Sequence, residues 1–195
     1  MKVAKYIAGG TLLLTAVPGF AAGSSVPTLG EVLKASEINV SGYIDISGIY
    51  NPKGPYNTFR VYDQQGRSIN LQMLELSLNR APDQGFGGAV VLNGGPDATV
   101  NESVPECDGS GNCPSAIFPA GFDVQQAYVS YKTGNVTAEF GKLPTLIGFE
   151  VIESPANYNF SRSYLFGWGP FIQTGGRVYW QATPTIKAVF GINNG

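Results

Sequence analysis

Histidine is absent from the 195-residue chain. That one gap removes Ser-His-Asp and Cys-His catalysis together with every imidazole metal site, and with them the side chain most used for proton transfer near neutral pH. Charge is scarce as well: 13% of residues are Asp, Glu, Lys or Arg, about half the ~25% usual in soluble domains. Twelve basic residues against 14 acidic ones give a net charge of −2, which argues against a nucleic-acid partner, since that calls for a basic face. The chain has two cysteines, Cys107 and Cys113, without the CxxC spacing of a redox pair. Beyond the N-terminus no apolar run approaches 18 residues, so no transmembrane helix is expected. Gly-rich stretches such as Gly85–Gly95 lack the strand-to-helix setting of a phosphate loop, and no cofactor or metal is expected.

The N-terminus carries an address. Lys2 and Lys5 precede an apolar run from Ile7 to Val17, Pro18 ends it, and Gly19-Phe20-Ala21 supplies the small residues of a cleavage site. Residues 1–22 are therefore expected to be a signal peptide. Its loss leaves 10 basic residues against 14 acids. In an oxidising compartment, Cys107 and Cys113 are expected to close a small loop by a disulfide. Residues 23–37 form a short N-terminal segment, in which Thr28 and Glu31 fit a capping box. The helix they start is expected to run to about Ser36, with Leu29, Val32 and Leu33 on one side.

From Ile38 to Tyr50 the chain alternates. Ile38, Val40, Ile44 and Ile46 share one face; Asn39, Ser41, Tyr43, Asp45 and Ser47 share the other. Period 2 with one polar face predicts a strand, and its length reaches the 9–11 residues a tilted membrane strand needs. The pattern recurs around Leu74–Asn79, Phe86–Asn93, Gln126–Lys132, Val136–Phe140, Arg177–Ala182 and Thr185–Ile192, making seven strands. Ile69, Leu71 and Met73 fall in the opposite phase to Leu74, Leu76 and Leu78, which predicts a bulge near Met73. Links of residues 51–68, 94–121 and 143–170 alternate with tight turns at 81–85, 133–135 and 183–184. In an up-and-down meander, this alternation gathers all long loops at one end, as in outer-membrane barrels. The polar faces hold Asn, Gln, Ser, Thr and Tyr with sparse charge, which suits a lumen. The apolar faces are nearly uncharged, as lipid contact requires. Tyr50, Tyr131, Tyr179, Trp180 and Phe190 are candidates for interfacial girdles. The competing reading is an exported soluble β-sandwich that serves as a binding or adhesion module.

Several segments resemble a known family. Ser41–Asp45, Val91–Asp97 and Phe122–Tyr131 look like its early strands, and Ile147–Gly167 is the longest match. Together they resemble the OmpL-like beta-barrel porins of Gram-negative outer membranes. The resemblance implies an all-β fold, an antiparallel up-and-down transmembrane β-barrel, of which residues 38–195 supply about seven strands of a larger barrel. It also implies a water-filled channel for passive diffusion of small hydrophilic solutes rather than an enzyme. Its partners would be outer-membrane lipid, the assembly machinery and, in an oligomer, further copies. Family members are typically about twice as long, so the chain is expected to be an N-terminal part. A run from Tyr56 to Tyr62 could instead serve as an eighth strand, at the expense of the long/short alternation.

For a channel, the site is the constriction, set by charge and pore radius. The 143–170 link combines acids, aromatics and glycines and is expected to fold inward. Glu150, Glu153 and Arg162 on it, with Arg177 after it, are the candidate constriction residues. The strand phase adds Asp45, Glu75, Glu139, Lys132 and Lys187 to the lumen wall. The structural alternative is a salt bridge from Glu150, Glu153 and Arg162 that anchors the loop. A glycosidase pair made of Glu150 and Glu153 lacks supporting residues.

Overall fold

The computed structural model describes residues 26–101 and 121–194. The signal segment and the Cys107–Cys113 loop lie outside the described residues. α1 spans Leu29–Ala35, and its capping box forms: the Thr28 side chain accepts from the Glu31 amide while the Glu31 carboxylate accepts from the Thr28 backbone N–H at 2.7 Å. No α1 residue is buried, and Leu29 is 74% exposed.

The seven expected strands form. β1 is Ile38–Tyr50, β2 Arg67–Arg80, β3 Gly85–Gly94, β4 Phe122–Thr133, β5 Val136–Pro144, β6 Ile172–Gln181 and β7 Lys187–Asn194. They make one antiparallel sheet in the order β1-β2-β3-β4-β5-β6-β7, each strand pairing with its neighbour in sequence. The long links and tight turns therefore segregate to opposite ends. A sandwich would need a second sheet over the apolar face. Among the described residues there is none, and Ile44, Ile69, Phe86, Val129, Phe140 and Phe190 are each more than 60% exposed. No described helix is long and apolar enough to cross a membrane.

Two register shifts adjust the inner face. The first lies between Asp45 and Ile46, where Gln72 is the extra residue on β2. It turns Ile69 and Leu71 back to the outside, as the change of phase requires. Met73 does not go with them: it points inward and is fully buried. The second shift lies between Val91 and Leu92, with Gln125 as the extra residue on β4. The run from Tyr56 to Tyr62 adds no strand to the sheet; its one ladder contact is an isolated bridge from Tyr56 to Gln65. Tyr50, Tyr131, Trp180 and Phe190 are exposed. Tyr179 is a correction to the girdle, because it shares the inner face with Arg177 and lies under the Lys187 ammonium.

Candidate functional site

The inner face becomes a site because the long loops fold onto it. Tyr62 from the 51–66 loop, Met73 from β2 and Ile152 from the 145–171 loop form a buried cluster, with Phe166, Phe171 and Val100 packed against it. Such apolar packing inside a polar wall needs a hydrophobic contribution from all three loops, because no single one could bury its own side chains. A helix the sequence did not announce, α2 at Pro96–Asn101, supplies the third part. The Tyr62 hydroxyl donates to Asn101.

Arg162 organises the 145–171 loop. It is 3% exposed and donates to the carbonyls of Val151 at 2.9 Å, Phe160 at 2.7 Å and Ile152 at 2.7 Å. Its guanidinium also lies 5.3 Å from the Tyr62 ring centroid and 5.9 Å from that of Phe166. A planar five-donor group suits three diverging carbonyls in one fold of chain. The salt bridge considered from sequence does not form: Arg162 binds carbonyls, and neither Glu150 nor Glu153 pairs with it. Glu150 instead accepts from the Ser163 amide at 2.9 Å and from the Ser163 hydroxyl.

Two contacts tie the loop to the wall. Ser154 donates its hydroxyl to Asp45 on β1 at 2.5 Å. Gln125 on β4 donates to Glu153 at 2.7 Å and accepts from Asn93 on β3. Among the sequence-chosen residues, Asp45, Glu75, Glu153 and Arg162 thus gather at one level of the sheet. Arg177 is 2% exposed and spends its donors on the Pro144 carbonyl and on Gln173 at 2.9 Å.

Lys132, Glu139 and Lys187 lie elsewhere, lining a cavity of about 620 Å³ with Tyr179, Thr137 and Gln181 near the tight turns. There the Lys187 ammonium stands 4.2 Å from the Tyr179 ring centroid. Asp45, Glu75 and Glu153 thus stand on β1, β2 and the loop, while Lys132, Lys142 and Lys187 stand on β4, β5 and β7.

Asp97 on α2 was missed by sequence reading. It is 5% exposed, and burial pushes its carboxyl up to about 7, aided by Asp45 and Asp63 and opposed by Arg162. Gln125 was missed too, because only the β4 bulge turns it inward. At the mouth, Phe149 and Tyr158 stack at 6.1 Å beside a recess of about 550 Å³ that Trp168, Phe166 and Phe171 line. Among the described residues, no group of His, Cys, Asp or Glu side chains alone is gathered to hold a metal ion.

A family model described as "Putative beta-barrel porin-2, OmpL-like" matches residues 37–195, and so covers every strand. No curated protein and no solved structure matches the chain.

Proposed function

The chain belongs to the OmpL-like beta-barrel porin family, and on that footing we propose that it forms a water-filled outer-membrane channel for passive diffusion of small hydrophilic solutes. The observation that carries this reading is the two-faced sheet. One face is apolar and bare, and the other is polar and crossed by a loop tied to it at Asp45 and Gln125. Lipid is the environment that accepts the first face, and an aqueous lumen accepts the second. The 145–171 loop narrows that lumen, with Asp45, Glu75 and Glu153 setting the charge on one side and Arg177, Lys132 and Lys187 on the other. Export follows from the N-terminal signal, and contact with lipid and with the assembly machinery follows from the location. Channel transport calls on no catalytic group.

An open sheet edge has no partner for its N–H and C=O groups in lipid, so the wall closes in the functional state.

The membrane part of this reading is tested on the full chain refolded in detergent micelles. Unheated samples are expected to migrate differently from boiled ones in SDS gels, as closed barrels resist the detergent until heated. Recovery of a folded monomer in buffer without detergent would overturn the reading.

A further inference from the structure

A row of oxygen atoms crosses the inner face beneath the loop. Glu75 on β2 pairs directly with Asn93 on β3, and Asn93 pairs directly with Asp123 on β4. Residues opposite one another in a ladder share a face with Cβ atoms about 5 Å apart, so the three side chains stand side by side. They are 9%, 1% and 5% exposed respectively. Each carries one buried oxygen without a hydrogen-bond partner among the described residues: Glu75 Oε2, Asn93 Oδ1 and Asp123 Oδ2. Three neighbouring orphans are unusual, because buried polar atoms are nearly always partnered.

The charge around the row is also unbalanced. Glu153 lies over it on the loop, bound through Gln125, and adds repulsion to Glu75. Three carboxylates thus face one ammonium, that of Lys142, which takes the other oxygen of Asp123 at 2.9 Å. The buried arginines are committed elsewhere, Arg162 to loop carbonyls and Arg177 to Pro144 and Gln173. Water could satisfy the orphaned oxygens, but it brings no positive charge to offset carboxylates removed from solvent.

We propose that Glu75, Asn93 and Asp123 form a binding site for a divalent hard cation, of the Ca²⁺ class, between the wall and the loop. Every available donor atom is a carboxylate or amide oxygen, which suits Ca²⁺ and its tolerance of irregular geometry better than the soft ligand sets of Zn²⁺ or Cu⁺. Three protein oxygens leave room for waters in a shell of six to eight. Bound there, the ion draws the β2, β3 and β4 wall together beneath the loop that Gln125 ties to it. The proposal does not depend on conduction, since the row belongs to the folded wall.

Tb³⁺ is the probe, because Tyr43 stands opposite Glu75 in the ladder and can sensitise it. With the refolded full chain, tyrosine-excited Tb³⁺ emission is expected to saturate and to be displaced by Ca²⁺ but not by equal K⁺. Glu75→Gln and Asp123→Asn should each weaken Tb³⁺ binding at least tenfold. Asp83→Asn, in the β2–β3 turn, should leave it unchanged. Emission that does not saturate, or affinity unaffected by both substitutions, would overturn the site and indicate water or carboxyl protonation instead. If the variants fail to refold, the wild type decides: Ca²⁺ should raise its unfolding temperature and the same concentration of K⁺ should not, while equal effects would overturn the site.

Discussion

Arg162→Ala is expected to free the 145–171 loop, so that an added protease cleaves within it about 100-fold faster. The guanidinium holds three carbonyls of that loop from a position almost closed to water. Hydrogen bonds to a charged group contribute ~1.5–3 kcal/mol each, though not additively, and the carbonyls left behind lose their partner. A total near 3 kcal/mol is conservative. At 1.4 kcal/mol for each factor of ten, it raises the open population about 100-fold, and proteolysis follows that population when reclosing is fast. Arg162→Lys keeps the charge but cannot serve three diverging acceptors, so its behaviour should lie nearer to alanine than to wild type. Arg67→Ala provides the comparison: its donors reach the Asn51 and Pro52 carbonyls at an exposed rim, and cleavage in the 145–171 loop should not change. An Arg162→Ala variant as resistant as wild type would show that the loop is held in some other way.

The second large effect belongs to the wall. Gly141→Ala is expected to lower the stability of the refolded barrel by about 4 kcal/mol, against about 1 kcal/mol for Gly134→Ala. Both glycines have positive φ, 141° at Gly141 and 53° at Gly134. They differ in what a methyl group would meet. At Gly141 the new Cβ falls 2.3 Å from the Ala127 carbonyl oxygen and 2.7 Å from the Tyr128 Cα, both in the β4 backbone. Backbone cannot move aside without unpairing β4 from β5. Conformational strain of ~1–3 kcal/mol and overpacking of similar size therefore combine. At Gly134 nothing lies within 4 Å, so only the left-handed turn conformation costs, by about 1–2 kcal/mol. Urea titration of the heat-modifiable band measures the difference. Equal midpoints for the two variants would contradict the close β4–β5 approach at Gly141.

Much of the wall was legible in sequence because period 2 needs only local information. β1 runs from Ile38 to Tyr50 as the alternation sets it, and the phase change beside Met73 marks a real shift in register. The inward phase of Met73 was not legible, since a bulge leaves open which neighbour is the extra residue. Gln72 holds that place, and its side chain meets Ser47. The loop's composition pointed to Glu150, Glu153 and Arg162, yet their partners, Ser163, Gln125 and the loop carbonyls, are set only once the loop has folded against the wall, where Ser154 meets Asp45. Acid next to base in sequence suggested a salt bridge, whereas Arg162 found backbone carbonyls. Asp97 and Tyr62 carried no signal, because each matters only where three loops converge. The row from Glu75 to Asp123 likewise exists only once β2, β3 and β4 are in register.

Ionic current across a planar bilayer bears most directly on the central claim. The refolded full chain, added to one side in potassium chloride, is expected to produce stepwise, voltage-supported conductance increments, with open steps that become larger in Arg162→Ala. A heat-modifiable, membrane-inserted protein that gives no increments above those of detergent alone would contradict the channel.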